Sequence, residues 1–325
     1  MKIKITELEH IVLQKLLLEY SQEEAHRIKD IVMFGELSGK PSHGLLRLLR
    51  ENYGAFTNTI KGKPEVIKKT HVSSLINGSG NVGMLIGSLA MDEVITIAKE
   101  HGIGIVGTRN SFNSTGSLSY YCEKIANENL IALVFCHGVE VLAPFSSKKA
   151  LFGTNPIGFG IPSEPHPIIF DMSTSAITFG AIMKHKAESK NLPKNVAIDK
   201  EGNPTIDPEK ASEGATLAFD NSYKGSGLAM MVEILSAVWT GASFATTNKE
   251  DGWGNIYMAL SPDLLSNVES LKERSKELVT VLKNVETRDG RPIRIPGENT
   301  QQIRAENLKK GEIEVDDILL QKIKS

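Results

Sequence analysis

The chain has few cysteines and no excess of charge of either sign. Among its 325 residues there are two cysteines, Cys122 and Cys136, which excludes a disulfide scaffold and favours a reducing, cytoplasmic environment. Lysine and arginine total 37 against 39 aspartate and glutamate residues. This balance gives no electrostatic reason to expect nucleic acid or an anionic membrane as a partner. The segment from Met1 to His10 has alternating charges and no apolar core, so we expect no signal peptide.

Several motifs that carry chemistry are also absent. No spacing of histidine, cysteine and carboxylate residues is typical of a zinc or iron site, so we expect no metal. The chain has no Gly-x-Ser-x-Gly elbow for acyl transfer and no Walker A loop for phosphoryl transfer. With 40% hydrophobic and 23% charged residues, the composition is that of an ordinary globular protein long enough for two domains.

Only one apolar run approaches the length of a membrane span. It extends from Gly227 to Ala245, with Glu233 as its only charged residue. Neither a basic flank nor a belt of aromatic residues accompanies it, as a spanning helix would require. We therefore predict a fully buried core helix and no membrane contact.

Hydrophobic periodicity predicts a helical start followed by a mixed α/β region. Two capping-box patterns, Thr6–Glu9 and Ser21–Glu24, introduce two helices, and a third is predicted from Ser42 to about Tyr53. After Pro64 strands and helices alternate. The predicted strands cover residues 71–78, 102–107, 131–136, 167–173 and 255–260, and the predicted helices residues 84–100, 118–127 and 261–284, with two short helices after residue 300. Turn signals dominate residues 151–208.

The loop Gly78-Ser79-Gly80-Asn81-Val82-Gly83 matches the dinucleotide fingerprint of Rossmann folds, with a strand before it and a helix after it. Glu100 stands near the spacing of the acid that contacts the ribose, but it ends a helix where a second strand is required. The turn-rich region also departs from repeated βαβ units. We interpret the loop as a tight turn that packs a helix against a strand, and keep the Rossmann site as the alternative.

The stretch from Pro41 to Arg47 places a titratable histidine one turn before an arginine. Pro41 and Ser42 are typical of a helix start, and residues four apart share a helical face. Imidazole beside guanidinium suits proton transfer on a substrate that carries a carboxylate. The alternative is that His43 only caps the helix and Arg47 is a surface charge.

Two further segments are candidate anion sites. Lys224-Gly225-Ser226-Gly227 precedes the apolar run, and a lysine with clustered backbone N–H groups at a helix start can bind phosphate or carboxylate. An ordinary helix cap with a solvated lysine is the alternative. Arg109-Asn110-Ser111 follows a glycine-rich strand, where loops often carry binding residues.

Taken together in order, these segments resemble the malate/L-lactate dehydrogenase family of the second, non-Rossmann type. The matching motifs are Ser42-His43-Gly44 with Arg47, Arg109-Asn110-Ser111, Gly153-Thr154-Asn155-Pro156, Asp171-Met172-Ser173-Thr174-Ser175, Gly202-Asn203-Pro204-Thr205 with Asp207-Pro208, Lys224-Gly225-Ser226-Gly227-Leu228-Ala229, Pro296-Gly297-Glu298 and Arg304-Ala305-Glu306. Each motif is short, but the set extends over nearly the whole chain.

The resemblance implies an NAD- or NADP-dependent oxidoreductase that interconverts a small 2-oxo acid and the matching 2-hydroxy acid. His43 would be the acid/base and Arg47 would hold the substrate carboxylate; a histidine that titrates near neutrality suits the proton transfer. The implied substrate-binding residues are Ser42, Arg47, Arg109, Asn110, Ser111 and Asn155. The implied cofactor-binding residues are Asp171, Met172, Ser173, Thr174, Ser175, Tyr223, Lys224, Gly225, Pro296, Gly297 and Glu298.

The family's fold implies a helical domain built from both termini, residues 1–72 with about 291–325, packed on a mixed α/β cofactor domain of about residues 73–290. It also implies a homodimer. Two departures concern the site: Asn113 stands near the place of a second histidine, and Ala181 stands where a lysine often follows the glycine. A non-catalytic paralogue and a reductase of a cyclic imine carboxylate are therefore the alternative functions.

Overall fold

The computed structural model describes residues 1–49, 54–56, 62–245 and 252–324. The helices are α1 (Ile5–Leu16), α2 (Gln22–Leu37), α3 (Gly83–His101), α4 (Leu118–Asn127), α5 (Phe179–Ala187), α6 (Pro208–Glu213), α7 (Tyr223–Glu233), α8 (Val268–Asn284), α9 (Glu298–Lys310) and α10 (Asp317–Lys324). The strands are β1 (Lys2–Lys4), β2 (Glu65–Lys69), β3 (Ser73–Asn77), β4 (Ile103–Ser111), β5 (Ile131–Cys136), β6 (Ile157–Ile161), β7 (Ile168–Met172), β8 (Ala197–Ile198), β9 (Ala215–Thr216), β10 (Trp253–Leu260) and β11 (Glu312–Glu314).

A seven-stranded sheet in the order β2-β3-β4-β10-β5-β6-β7 organises the middle of the chain. Only the β3–β4 pair in this sheet is parallel, whereas β4–β10, β10–β5, β5–β6 and β6–β7 are antiparallel. A doubly wound sheet would require parallel neighbours joined by helices. The prediction of a mixed α/β fold without a Rossmann sheet is therefore confirmed.

One hydrophobic core joins the helical N-terminal segment to the sheet. Leu8, Ile31 and Leu45 from the first segment and Ile86 and Val134 from the α/β region are buried in the same cluster. The cluster crosses the boundary predicted near residue 72, and the division into two domains stays a prediction.

The two ends of the chain meet in a small sheet that the periodicity did not predict. β1 pairs antiparallel with β11, with Ile3 opposite Ile313. Three-residue strands are too short for a hydrophobic repeat to reveal them. The C-terminal α9 is also tied to α2, because Asn307 donates to the carbonyl oxygen of Leu37 at 2.9 Å.

Two of the predicted helix starts differ from the structure. The Ser21–Glu24 capping box is present at the start of α2, but α1 begins at Ile5 after Lys4, without a side-chain cap, so the Thr6 cap was wrong. The helix predicted from residue 261 is divided: Ser261 caps a 3₁₀ turn, Pro262–Leu264, and Asn267 caps α8. The turn-rich region contains α5 and α6, which were not predicted.

The prediction of a fully buried helix over residues 227–245 was wrong. The segment is α7 followed by a π-helical turn, Ile234–Val238. One side packs inward through residues such as Val232, whereas Met231 and Val238 are 48% and 47% exposed. We call the exposed side the α7 face, formed by Met230, Met231, Ile234, Val238 and Trp239. No helix in the described part of the chain is long and apolar enough to cross a membrane.

The glycine loop at residues 78–83 packs against the end of β4. The backbone N–H groups of Gly78, Gly80 and Gly83 donate to the carbonyl oxygens of Arg109, Asn110 and Phe112 at 2.8 to 2.9 Å. Those N–H groups are the donors that a pyrophosphate would need. Their engagement favours the tight-turn interpretation of this loop.

We predict that Gly80→Ala lowers stability but leaves the affinity for a nicotinamide cofactor unchanged. Gly80 has a φ of +79°, which an alanine adopts only with strain, so a loss of about 1 kcal/mol is expected. Chemical denaturation and a fluorescence titration with NADH measure the two quantities. A large loss of affinity in a variant of normal stability would instead support a Rossmann-type site.

Candidate active site

The segment that carries His43 is not the helix that the sequence predicts. It consists of two 3₁₀ turns, Pro41–His43 and Leu45–Leu48, separated by Gly44 at φ −102° and ψ −132°. Leu49 is already extended, and the predicted end at Tyr53 lies outside the described residues. His43 and Arg47 therefore lie on successive turns, and the helical spacing between them does not apply.

Close packing against α2 imposes this break. A Cβ at Gly35 would lie 2.3 Å from the carbonyl oxygen of His43, and one at Gly44 would lie 2.2 Å from the Glu36 carboxylate. That carboxylate accepts a hydrogen bond from the backbone N–H of Leu45 at 2.9 Å. The two glycines thus allow the segment to lie directly on α2, and Glu36 takes up the first N–H of the second turn.

His43 is held by its neighbour Ser42 and surrounded by charged groups. The Ser42 hydroxyl lies 3.0 Å from Nδ1 of His43. Burial, with Arg47 nearby, lowers the pKa of His43 to about 4, and Lys40 adds to this while the charge of Asp171 opposes it. The imidazole is therefore neutral at pH 7 and can accept a proton.

Asp171 on β7 faces the same site and is the best-held carboxylate in it. Its Oδ2 accepts hydrogen bonds from Lys40 Nζ at 3.0 Å, from Ser117 Oγ at 3.0 Å, and from Ser119 N and Oγ at 3.1 and 2.7 Å. Burial favours its neutral form, but Lys40, the Ser119 hydrogen bond and His43 outweigh burial and hold the pKa of Asp171 below its usual value. Asp171 is therefore an anion at neutral pH.

The loop after β7 is fixed to the turn that carries Asn155. Ser173 Oγ and Thr174 Oγ1 both donate to the carbonyl oxygen of Thr154, at 3.1 and 3.0 Å. Ser173 and Ser175 hydroxyls lie 2.6 Å apart. The loop then leads into α5, where a Cβ on Gly180 would lie 3.8 Å from Cβ of Ser42. The start of α5 thus lies beside the turn that carries His43, and a cofactor-binding role for residues 172–175 stays a prediction.

Asn155 belongs to a buried polar cluster with Glu233 and His137. Its Nδ2 donates to Glu233 Oε2 at 2.7 Å and to the carbonyl oxygen of Ala229 at 2.9 Å. His137 accepts from the Gly254 N–H at its Nε2, at 2.8 Å, so its proton is on Nδ1, 3.9 Å from Glu233. Burial raises the pKa of Glu233 to about 7, with Asn155 opposing and Glu140 adding.

At the N-terminus of α7, a backbone N–H group binds a carboxylate of the same chain. Gly225 N–H donates to both oxygens of Asp220, at 3.2 and 3.3 Å, and Lys224 N–H donates to the Ser222 hydroxyl. Asp220 thus holds the Gly225 N–H, as in an ordinary helix cap, and an anion-binding role for the segment Lys224–Gly227 stays a prediction. Tyr223 is 67% exposed.

The Pro296-Gly297-Glu298 turn lies against the edge strand β7. A Cβ on Gly297, which has a φ of +87°, would lie 2.9 Å from the carbonyl oxygen of Ile169, and Ile169 N–H donates to the Pro296 carbonyl oxygen. Glu298 is bound by Lys283 Nζ at 2.6 and 2.8 Å. The turn therefore sits two residues along the strand from Asp171.

The predicted Arg109-Asn110-Ser111 segment makes contacts of a different kind. Asn110 Nδ2 donates to Asn77 at 3.0 Å, and Ser111 Oγ donates to the carbonyl oxygen of Trp253 at 2.8 Å. Arg109 lies beside Gly241, where an added Cβ would be 3.1 Å from its guanidinium. These contacts link β4 to its neighbours, and a substrate-binding role for the three residues stays a prediction.

Sequence reasoning missed the residues that hold Asp171. Lys40, Ser117 and Ser119 were not among the predicted site residues, although Lys40 lies three positions before His43. A lysine there looks like an ordinary surface charge, and only the tertiary structure brings it to a carboxylate 131 residues away.

The fold is that of a dehydrogenase of the non-Rossmann type, as comparison with known proteins shows. The family model described as malate/L-lactate dehydrogenase matches residues 3–324, so the chain belongs to this family. It is 32% identical to L-sulfolactate dehydrogenase of Methanocaldococcus jannaschii over 312 residues, which cover 93% of this chain and 89% of that protein.

Solved structures of relatives share the fold. The structure of sulfolactate dehydrogenase from M. jannaschii has a TM-score of 0.89 at 30% identity, covering 99% of this chain and 96% of that one. The Δ1-piperideine-2-carboxylate reductase from Pseudomonas syringae has a TM-score of 0.87 at 26% identity, covering 100% and 99%. The sequence-based prediction of an oxidoreductase that acts on 2-hydroxy acids is confirmed at the level of the family.

We predict that the free energy of unfolding of Glu233→Gln, relative to that of the wild type, increases as pH rises from 5 to 8.5. The folded pKa of about 7 lies above the unfolded value, so Glu233 contributes stability at low pH that is lost as pH rises through 7. The change across this range is about 1–3 kcal/mol. Denaturant unfolding at several pH values measures it.

The matched control is Glu213→Gln, at a side chain that is 58% exposed. Its stability relative to the wild type should stay constant over the same range. A flat pH dependence for Glu233→Gln as well would contradict the buried, protonated state of Glu233.

Proposed function

We propose that the protein interconverts a small 2-oxo acid and the matching 2-hydroxy acid, with His43 as the acid/base and Arg47 as the group that binds the substrate carboxylate. One observation carries this proposal: the imidazole of His43 is engaged by Ser42 and is close enough to the Arg47 guanidinium and the Asp171 carboxylate for both charges to act on it. A cation for the carboxylate and a titratable group for the oxygen are what the reaction needs. The same residues argue against a non-catalytic paralogue.

In the oxidation direction, neutral His43 takes the hydroxyl proton of the substrate. The contact of Nδ1 with Ser42 leaves Nε2 for the substrate oxygen. The imidazolium that forms is stabilised by the anionic Asp171, as in other acid/base pairs in which a carboxylate supports a histidine. The nicotinamide cofactor supplies or accepts the hydride when it is bound. In the reduction direction His43 returns the proton to the oxygen.

Arg47 suits the carboxylate because its guanidinium is largely enclosed. Burial lowers the pKa of Arg47, which means that its charge lacks full solvation. A guanidinium can hold a substrate carboxylate with two parallel hydrogen bonds. The negative charge of that carboxylate would offset part of the repulsion that keeps His43 neutral, so substrate binding would prepare the histidine for proton donation.

The residues proposed to bind the cofactor carry groups that could contact its ribose, amide and phosphate groups. The hydroxyl-rich Ser173-Thr174-Ser175 loop has donors for ribose and amide groups, and Tyr223 presents an exposed ring beside the Lys224 ammonium. Since Asp220 holds the Gly225 N–H, the Lys224 side chain is the group that would meet a phosphate here. The Pro296-Gly297-Glu298 turn would border the same surface along β7.

For the substrate we propose a 2-oxo acid such as those that correspond to sulfolactate or malate. The support is the likeness to L-sulfolactate dehydrogenase over most of both chains. A cyclic imine carboxylate is the second candidate, favoured by the likeness to Δ1-piperideine-2-carboxylate reductase and by Asn113 in place of a second histidine. Both classes share the carboxylate next to the reacting carbon, so Arg47 would serve either.

We also propose that the protein is a cytoplasmic homodimer. Its two cysteines are both free thiols, as in a reducing compartment. The α7 face exposes five large apolar side chains at helical spacing, and such a contiguous face is typical of a protein interface. Because α7 begins at Tyr223, a partner on this face would lie next to the proposed cofactor surface.

The dimer proposal predicts that Met231→Glu converts the protein from twice the chain mass to the chain mass. A charge in an apolar interface is buried without a partner and opposes association. Size-exclusion chromatography with light scattering gives the mass. Leu18→Glu, at a side chain that is 71% exposed in the turn after α1, should leave the mass unchanged. A monomeric wild type would contradict the proposal.

The catalytic proposal predicts that His43→Ala keeps the affinity for NADH or NADPH and loses turnover by roughly 10²- to 10⁴-fold, the usual share of a general acid. Loss of reduced-nicotinamide absorbance with a panel of 2-oxo acids and cyclic imines measures turnover, and fluorescence titration measures binding.

Arg47→Lys is the companion variant. Lysine keeps the positive charge but lacks the two parallel N–H donors of the guanidinium. The KM for the carboxylate substrate should therefore rise more than kcat falls. Undiminished turnover in His43→Ala would overturn the assignment of the acid/base.

A further inference from the structure

Lys40 contacts both the backbone of His43 and the carboxylate of Asp171. Its ammonium donates to Asp171 Oδ2 at 3.0 Å, to Ser119 Oγ at 2.8 Å and to Ser117 Oγ at 3.1 Å. In the chain it directly precedes the 3₁₀ turn that carries His43. The His43 backbone N–H donates to the Lys40 carbonyl oxygen at 2.8 Å, so the two residues belong to one rigid turn.

The Lys40–Asp171 pair is sheltered from water. Their side chains are 25% and 14% exposed, unlike the more exposed Lys69–Glu93 pair, at 60% and 23%. An ion pair in such surroundings is screened less than a surface pair, and removing one partner has a larger effect on the other. Lys40 therefore strongly modifies the electrostatic effect of Asp171 on His43.

We propose that Lys40 is a positioning residue that fixes Asp171 through Oδ2 and offsets its charge, and thereby sets the pH range in which His43 exchanges a proton with the substrate. The inference rests on the proposed acid/base role of His43. It adds to that role a third group, which does not touch the substrate and acts through Asp171.

Other charged and titratable groups also lie near His43 and Asp171. On the side of His43, Arg47 is the second cation, and burial raises the pKa of Glu36 on α2, which faces Gly44 and Leu45. On the side of Asp171 stand the thiols of Cys122 and Cys136; burial raises the pKa of both, that of Cys136 to about 12. Both thiols are therefore neutral near pH 7.

Removing the charge of Lys40 should change the protonation of His43 in a defined direction. A cation near a histidine disfavours the imidazolium, and a cation paired with a carboxylate weakens the support that the carboxylate gives. In Lys40→Met, Ser117 and Ser119 still donate three hydrogen bonds to Asp171 Oδ2 and keep it an anion. Both effects of the cation then disappear together, so His43 should be protonated at higher pH. A residue that only supports the fold would change stability and total activity without moving the pH profile in a fixed direction.

The experiment compares Lys40→Met, Lys40→Gln and Lys40→Arg with the wild type. Glutamine can still donate to Asp171 without a charge, so it provides a folded variant if methionine does not. The His43 ring protons are followed by NMR against pH, with their signal identified by its loss in His43→Ala, and kcat/KM is measured against pH with the best substrate of the panel. Lys69→Met, which removes an exposed lysine of another ion pair, is the control.

We expect the midpoint of His43 in the NMR titration to rise by about one pH unit in Lys40→Gln and Lys40→Met, and to stay near the wild-type value in Lys40→Arg and Lys69→Met. The acidic limb of kcat/KM for hydroxy-acid oxidation should move by the same amount. An unchanged NMR midpoint in the folded Lys40→Gln variant overturns the inference about Lys40. A midpoint that moves while the kcat/KM limb stays supports the tuning by Lys40 and overturns the acid/base role of His43.

Discussion

The site depends on one buried carboxylate. Asp171 lies on the edge strand β7, and four hydrogen bonds converge on its Oδ2 from Lys40, Ser117 and the backbone and side chain of Ser119. These donors come from the turn after α2 and from the start of α4, so the carboxylate joins three separate parts of the fold. With so little exposure to solvent, the pKa of Asp171 would be raised if it had no partner. Held by these donors it is an anion, and in the proposed reaction it would support a positive charge on His43 as the proton is transferred.

The helix α7 has a polar contact on its inner side and an apolar surface on its outer side. Its inner side carries Glu233, which holds Asn155 at 2.7 Å, while its outer side is the apolar α7 face. A soluble monomer would normally reverse this pattern, with carboxylates outside and methionines inside. The reversal is consistent with a helix whose polar side supports a site and whose apolar side meets another chain. The π-helical turn that follows, Ile234–Val238, belongs to a class of helix irregularity that is frequent near functional sites.

The sequence predicted the mixed α/β fold, most of the larger elements and the family, because hydrophobic periodicity and motif order are properties of the chain itself. It could not predict that His43 and Arg47 lie on two 3₁₀ turns, since that break results from the close approach of Gly35 and Gly44 to their neighbours across the α2 packing. Nor could it predict Lys40 as a partner of Asp171. The glycine loop at residue 78 has the pattern of a phosphate site, but its donors are engaged by the end of β4, which no local pattern encodes.

The central claim is that this constellation couples hydride transfer at C2 of a 2-oxo acid to proton transfer at its oxygen. The most direct measurement uses NADH or NADPH deuterated on either face of C4, with 2-oxo acids that correspond to malate and sulfolactate, and follows the products by NMR. The account predicts a 2-hydroxy acid with deuterium at C2 from one face only, and no deuterium transfer with His43→Ala in the same time. Oxidation of the cofactor without deuterium at C2 of any product would contradict it.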